Sequence, residues 1–246
     1  YSESLDEASL LDAADVASSV AAGNTSRAPE AWKVGKRHDY YPIDVPYDSV
    51  PTQDKVALLT GLESRVTALD PRIVKVSVSY RDSQKDVLVF DSSGRVSWDH
   101  QPMTICYVSV VAEQDGRRES NYVGMGGRYG FEFYTEERLA TAARQAVERT
   151  TVLFEAVAGP VGELPVVLGP GSSGILLHEA IGHGMEADAA RKRTTIYSDK
   201  INESIAPEFV TIVDDGTNPN FRGSINVDDE GNEGQRTTLV ENGVLR

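Results

Sequence analysis

Residues 103–123 run from Met103 to Val123 as MTICYVSVVAEQDGRRESNYV, two strand-like stretches around a turn signal. Met103 to Glu113 and Arg118 to Val123 are rich in β-branched and aromatic residues. They flank Asp115-Gly116, a strong signal for a tight turn between antiparallel strands. Cys106 falls on the same side as Thr104, Val108 and Val110, so it reads as a small core residue rather than a nucleophile. Upstream, Val74, Val76, Val78 and Tyr80 alternate with Lys75, Ser77 and Ser79, the pattern of a half-buried antiparallel strand from Ile73 to Tyr80. Val87 to Phe90 reads as another strand, followed by a turn at Asp91-Ser92-Ser93-Gly94.

Helices flank these strands. Ser4 to Glu7 reads as a capping box opening an Ala-rich helix to about Ala22, with Gly23 and Asn24 as stop signals. Residues 25–50 lack a period and read as an extended connection. A second helix is expected from Thr52 to Leu69, with Val56, Leu59, Leu62 and Val66 on one face, ended by Asp70-Pro71. Thr135 caps a long helix to about Ala158. Its core face carries Leu139, Ala143, Ala146, Thr150, Leu153 and Val157. Gly159-Pro160 breaks that helix and marks a domain boundary. The sum is an α+β protein: a twisted antiparallel sheet with packed helices, followed by the start of a second, β-rich domain. The expected divisions are 1–27, the end of an N-terminal helical region; 28–158, a central α+β domain; and 159–246, the start of an incomplete C-terminal domain.

Composition excludes several classes. Acidic residues outnumber basic ones 38 to 24 in 246 residues, a formal net charge of −14. That balance argues against nucleic-acid partners and against adhesion to an anionic membrane. No apolar run approaches the roughly 18 residues a membrane-spanning helix needs. The first residues, Tyr1-Ser2-Glu3-Ser4, lack the basic and apolar regions of a signal peptide. A single cysteine rules out an internal disulfide framework and any all-cysteine metal site from this chain alone. Cytoplasmic location is the expectation.

The chemistry concentrates in residues 164–190. Leu164 to Leu168 reads as a short apolar strand, followed by a glycine turn and a helix. Gly169-x-Gly171-x-x-Gly174 matches a dinucleotide fingerprint literally. Yet Arg191-Lys192-Arg193 follows where a second parallel strand should stand, so a plain tight turn accounts for the match. His178-Glu179-Ala180-Ile181-Gly182-His183 is more informative. Imidazoles are good zinc ligands, and a neighbouring carboxylate can serve as base for a water attacking a carbonyl. At about 100° per residue, however, an offset of five puts the rings about 140° apart on a regular helix. Both reach one metal only if the helix is distorted, for example by a π-bulge, which Gly182 and Gly184 would permit. Spacing alone leaves two readings open: a metal pair, or two buried, hydrogen-bonded histidines.

His178-Glu179-x-x-x-His183, with Leu176-Leu177 before it and Gly184-Met185-Glu186-Ala187-Asp188 after it, closely resembles the TldD/PmbA family of metalloproteases. The similarity extends through Arg117-Arg118-Glu119, Gly126-Gly127-Arg128-Tyr129-Gly130, Glu132-Phe133, Val213 to Thr217, Arg222-Gly223-Ser224, Asp228 to Gly231, Gly234-Gln235 and Glu241-Asn242-Gly243. It covers residues 54–246, and the intact motif marks the TldD-like subunit. The resemblance implies zinc held by His178 and His183, Glu179 as catalytic base, and unfolded peptides as substrate. The peptide would lie extended, paired like a strand with protein backbone. The implied partner is a TldE/PmbA-like subunit in a heterodimer, with self-association as the other possibility. It further implies that the chain is a piece lacking both ends. The family's third zinc ligand is a cysteine later in the C-terminal domain. Cys106 lies elsewhere and is not assigned that role; Glu186 or Asp188 could fill the position, although the resemblance gives no support for either. The alternative function is a non-catalytic, peptide-binding partner subunit that keeps the motif as a remnant. The acidic stretches 214–218 and 228–233 lack EF-hand spacing and read as solvated turns rather than calcium sites.

Overall fold

The computed structural model describes residues 2–20, 31–35 and 38–246. In chain order it contains α1 (Glu7–Val20), β1 (Lys33–Val34), α2 (Thr52–Leu69), β2 (Ile73–Phe90), β3 (Arg95–Gln114), β4 (Arg117–Gly127) and α3 (Glu136–Thr151). Then come α4 (Ser173–Leu177), α5 (Ala187–Lys192), β5 (Ile212–Asp215), β6 (Arg236–Glu241) and β7 (Val244–Leu245).

The hairpin forms where the sequence places it. Gln114 pairs with Arg117 across a two-residue turn, and Asp115 and Gly116 both take positive φ, 52° and 77°. This is the type I′ geometry whose twist matches the flanking strands. Asn242-Gly243 repeats it between β6 and β7, with φ of 50° and 80°. The strand β3 is the spine of the first sheet. Antiparallel β2 lies along one side of it, while antiparallel β4 and the short parallel β1 share the other.

The strands are longer than apolar alternation predicts. Ile73–Tyr80 and Val87–Phe90 belong to one 18-residue strand, because Arg81 to Asp86 pair with His100 to Ile105. Ladder hydrogen bonds satisfy that backbone whether or not the side chains are apolar. A register shift between Ile73 and Lys75 changes which face the strand's first residues present. Ile73 therefore packs on the core, while Val74 is half exposed.

α2 and α3 cover one face of this sheet. Leu62 and Val66 from α2 meet Cys106, Val108 and Val110 from β3, Val123 from β4, and Ala142, Ala143, Ala146 and Val147 from α3. The helix α2 runs over the expected residues, but Leu58 rather than Val56 joins the core. Thr135 caps α3 by accepting from the Arg138 amide. The helix tightens into a 3-10 turn at Val152–Glu155, so Val157 lies beyond it and is exposed. Cys106 is fully buried, and burial pushes its thiol up to about 11, which fits an inert core residue.

The N-terminal cap differs from expectation. Asp6, not Ser4, is the capping residue: its carboxylate accepts from the Ser9 amide and hydroxyl at 2.9 and 2.8 Å. The Ser4 hydroxyl donates to Asp6 instead. The expected stop at Gly23 and Asn24 lies outside the described residues. No helix among the described residues is long and apolar enough to cross a membrane.

A second, antiparallel sheet, β5-β6-β7, lies in the C-terminal part. Polar bonds strap the chain beyond β5 to the first sheet and to the segment before α2. The Asn220 amide donates to the Tyr40 carbonyl at 2.8 Å, and the Arg128 amide to the Asn220 carbonyl at 3.0 Å. Ser97 Oγ donates to the Gly231 carbonyl at 2.8 Å. At the centre sits Asp99, 1% exposed. It accepts from the Tyr41 hydroxyl, from Gln101 Nε2 at 2.9 Å and from Asn226 Nδ2 at 2.8 Å. Burial alone would raise the Asp99 carboxyl, but these hydrogen bonds outweigh it and hold the group below its ordinary value. A carboxyl depressed in the folded state contributes stability that is present above its unfolded pKa of about 3.9 and is lost as pH falls through the folded value. Asp99→Ala leaves the Tyr41 hydroxyl and the Asn226 amide without their acceptor. The expected cost is about 2–4 kcal/mol at pH 7, read by urea unfolding. The gap between wild type and variant should narrow as pH falls below about 4.

Candidate metal centre

The segment expected as an apolar strand, Leu164 to Leu168, is not in a strand and its residues are exposed. No neighbouring strand among the described residues pairs with it. The glycine turn leads into α4, which is only five residues long. A dinucleotide site needs a parallel βαβ unit; the strands paired in the second sheet are antiparallel.

Directly after α4, His178 to Gly182 form a π turn. The His183 amide donates to the His178 carbonyl, five residues back. The extra residue per turn brings i and i+5 onto one side, where a regular helix would stack i and i+4. The distortion that the histidine spacing requires is therefore built into the backbone. A 3-10 turn, His183–Met185, follows at once. Gly182 has φ −58° and ψ −49°, ordinary helical values, so the π turn does not depend on its conformational freedom. Gly184 is set by packing instead: a Cβ there would stand 2.9 Å from the Tyr197 ring, which would have to shift.

The π turn gathers three side chains. The His178 and His183 rings meet edge to face, their centroids 4.4 Å apart. Glu179 reaches both. Its Oε1 is 4.0 Å from His178 Nε2 and its Oε2 is 3.7 Å from His183 Nε2. One donor atom from each of the three falls within 4.8 Å of the others. All three side chains are more than half exposed, so the two histidines do not form a buried pair within these residues.

The two nearby acids point elsewhere. Glu186 Oε1 is 2.7 Å from His183 Nδ1, the ring nitrogen opposite the shared cluster. Asp188 accepts from Lys192 Nζ at 2.8 Å, and that hydrogen bond holds its carboxyl below the ordinary value. Cys106 is buried in the first sheet, away from the cluster. The acidic turns are closed on themselves. Asp215 accepts from the Thr217 amide and hydroxyl, and Asp228 from the Glu230 and Asn232 amides.

A cavity of about 490 Å³ opens beside His178, between the π turn and the second sheet. Leu177, Ile181 and Met185 line one wall, and Ile212, Val213 and Leu239 the other. Helical spacing in the motif marks the first wall. The second comes from strands about 30 to 60 residues further along, which no local pattern links to the motif.

Two family models match the chain. One, described as the PmbA/TldA metallopeptidase central domain, covers residues 45–154; the other, the PmbA/TldA metallopeptidase C-terminal domain, covers residues 161–246. The chain is 36% identical to a protein of Haemophilus influenzae named metalloprotease TldD homolog, over 100% of this chain and 52% of that protein. It is 29% identical to a protein of Saccharolobus solfataricus named zinc metalloprotease TldD homolog, over 79% of this chain and 43% of that one. Among solved structures it resembles TldE from Thermococcus kodakarensis, with TM-score 0.68 at 20% identity, covering 98% of this chain and 53% of that one. The chain thus spans about half the length of the curated relatives it matches.

Proposed function

The chain belongs to the TldD/PmbA family of metallopeptidases, and from that premise we propose that it is part of a TldD-like, zinc-dependent peptidase acting on unfolded peptides. The observation that carries this reading is the π turn, which sets the donors of His178, Glu179 and His183 within 4.8 Å of one another. Two imidazoles suit zinc, and a carboxylate beside them suits a base. His178 and His183 would hold the ion. When bound, zinc polarises a scissile carbonyl and brings the pKa of water towards neutrality.

The remaining work falls to the chain's own groups. Glu179, whose oxygens lie 3.7 and 4.0 Å from the two Nε2 atoms, takes the proton of the attacking water and returns it to the leaving amine. The apolar cavity beside His178 receives a side chain of the peptide. β5 borders that cavity and pairs with β6 on one side only among the described residues. An extended peptide added along such an edge is held by backbone hydrogen bonds, which tolerate many sequences. The proposal includes a TldE/PmbA-like partner or a second copy of the chain, a cytoplasmic location, and a division of the chain at 27/28 and 158/159.

Two imidazoles are one protein ligand short of the usual catalytic zinc site. These 246 residues alone are therefore expected to bind zinc weakly and to cleave no peptide, measured by metal content after dialysis and by turnover of an unfolded peptide. The full-length protein with its partner is expected to cleave, and to stop when a chelator is added. One tightly held zinc per 246-residue chain with turnover contradicts the first expectation. Peptide binding without metal-dependent cleavage by the full-length pair favours a non-catalytic subunit.

A further inference from the structure

We propose that Glu186 is a positioning residue for His183, fixing the tautomer that leaves Nε2 open to a metal; this rests on reading His183 as a ligand. The two nitrogens of the His183 ring face different carboxylates. Nδ1 lies 2.7 Å from Glu186 Oε1, within hydrogen-bond distance. Nε2 lies 3.7 Å from Glu179 Oε2, on the side of His178. An ionised carboxylate only accepts hydrogen bonds, so a contact with one assigns the hydrogen to Nδ1. A neutral imidazole has one hydrogen, so the lone pair is on Nε2, facing the cluster.

Local backbone geometry makes this contact. His183–Met185 form a 3-10 turn, in which side chains three apart eclipse. Glu186 leaves that turn extended, at φ −64° and ψ 136°, and is the residue from which α5 starts. Its carbonyl accepts from the Ala190 amide at 3.0 Å, which pins its backbone. Asp188, the other nearby acid, is engaged by Lys192. A carboxylate behind a ligating histidine fixes ring orientation and raises ligand basicity.

The test uses full-length protein labelled with nitrogen-15 at histidine, with His183→Ala to assign the signal. At pH 8 and without metal, His183 should show the Nδ1–H tautomer. Glu186→Gln should keep it, because the amide oxygen still accepts, whereas Glu186→Ala should lose it. Zinc affinity should fall about 10- to 100-fold in Glu186→Ala and less in Glu186→Gln. An Nε2–H tautomer in the wild type overturns the assignment. So does an unchanged tautomer in Glu186→Ala, or equal zinc affinity in wild type and Glu186→Ala. If the wild type takes up no zinc at all, the metallopeptidase reading fails, and the tautomer signal still decides the role of Glu186.

Discussion

Glu179→Gln in the full-length protein, with its partner present, should lower the rate of peptide cleavage by about 10²- to 10⁴-fold. The substitution keeps the size and the hydrogen-bonding oxygen of the side chain but removes its ability to take a proton. Glu179 is more than half exposed and is not part of the buried core, so folding should be unaffected. Its role lies in the transition state, so kcat should fall while KM stays near its wild-type value. Metal content should persist, because the two imidazoles remain. Unchanged cleavage would refute Glu179 as the base. Loss of peptide binding together with cleavage would point to a role in holding substrate instead.

His178→Ala and His183→Ala should each remove a direct donor, and zinc affinity should fall further than the roughly 10- to 100-fold that losing a supporting carboxylate costs. The two effects should not add, since a single imidazole cannot act for the pair. Both side chains are exposed, so unfolding curves of the metal-free variants should overlay those of metal-free wild type. The checks are zinc titration with a competing chelator and chelator-sensitive cleavage. A variant that keeps wild-type affinity would remove its histidine from the site.

Much of this fold is legible in local sequence, because local chemistry controls it. Asp115-Gly116 specifies a type I′ turn, and its two strands follow; Thr52 to Leu69 is a helix over the residues its periodicity marks. Legibility ends where long-range pairing takes over. Polar Arg81 to Asp86 continue β2 only because β3 lies beside them. The shift after Ile73 exchanges its role with that of Val74 through a bulge that alternation cannot reveal. Leu164 to Leu168 has the composition of a strand but no partner among the described residues. At the site, the five-residue spacing of His178 and His183 announces a distorted helix, and the π turn supplies it. The sequence marks Glu186 only as an acid near the motif, not as a partner of His183. Its use of Nδ1 rather than a place beside Nε2 follows from the 3-10 turn between them. The Asp99 junction joins residues 41, 99 and 226, and no short-range pattern encodes that.

The most direct test of the central claim is anomalous diffraction at the zinc edge from crystals of the full-length protein. A peak is expected between His178 and His183, about 2.0–2.1 Å from the Nε2 of each. Zinc found elsewhere in the molecule, with none between these two histidines, would contradict it.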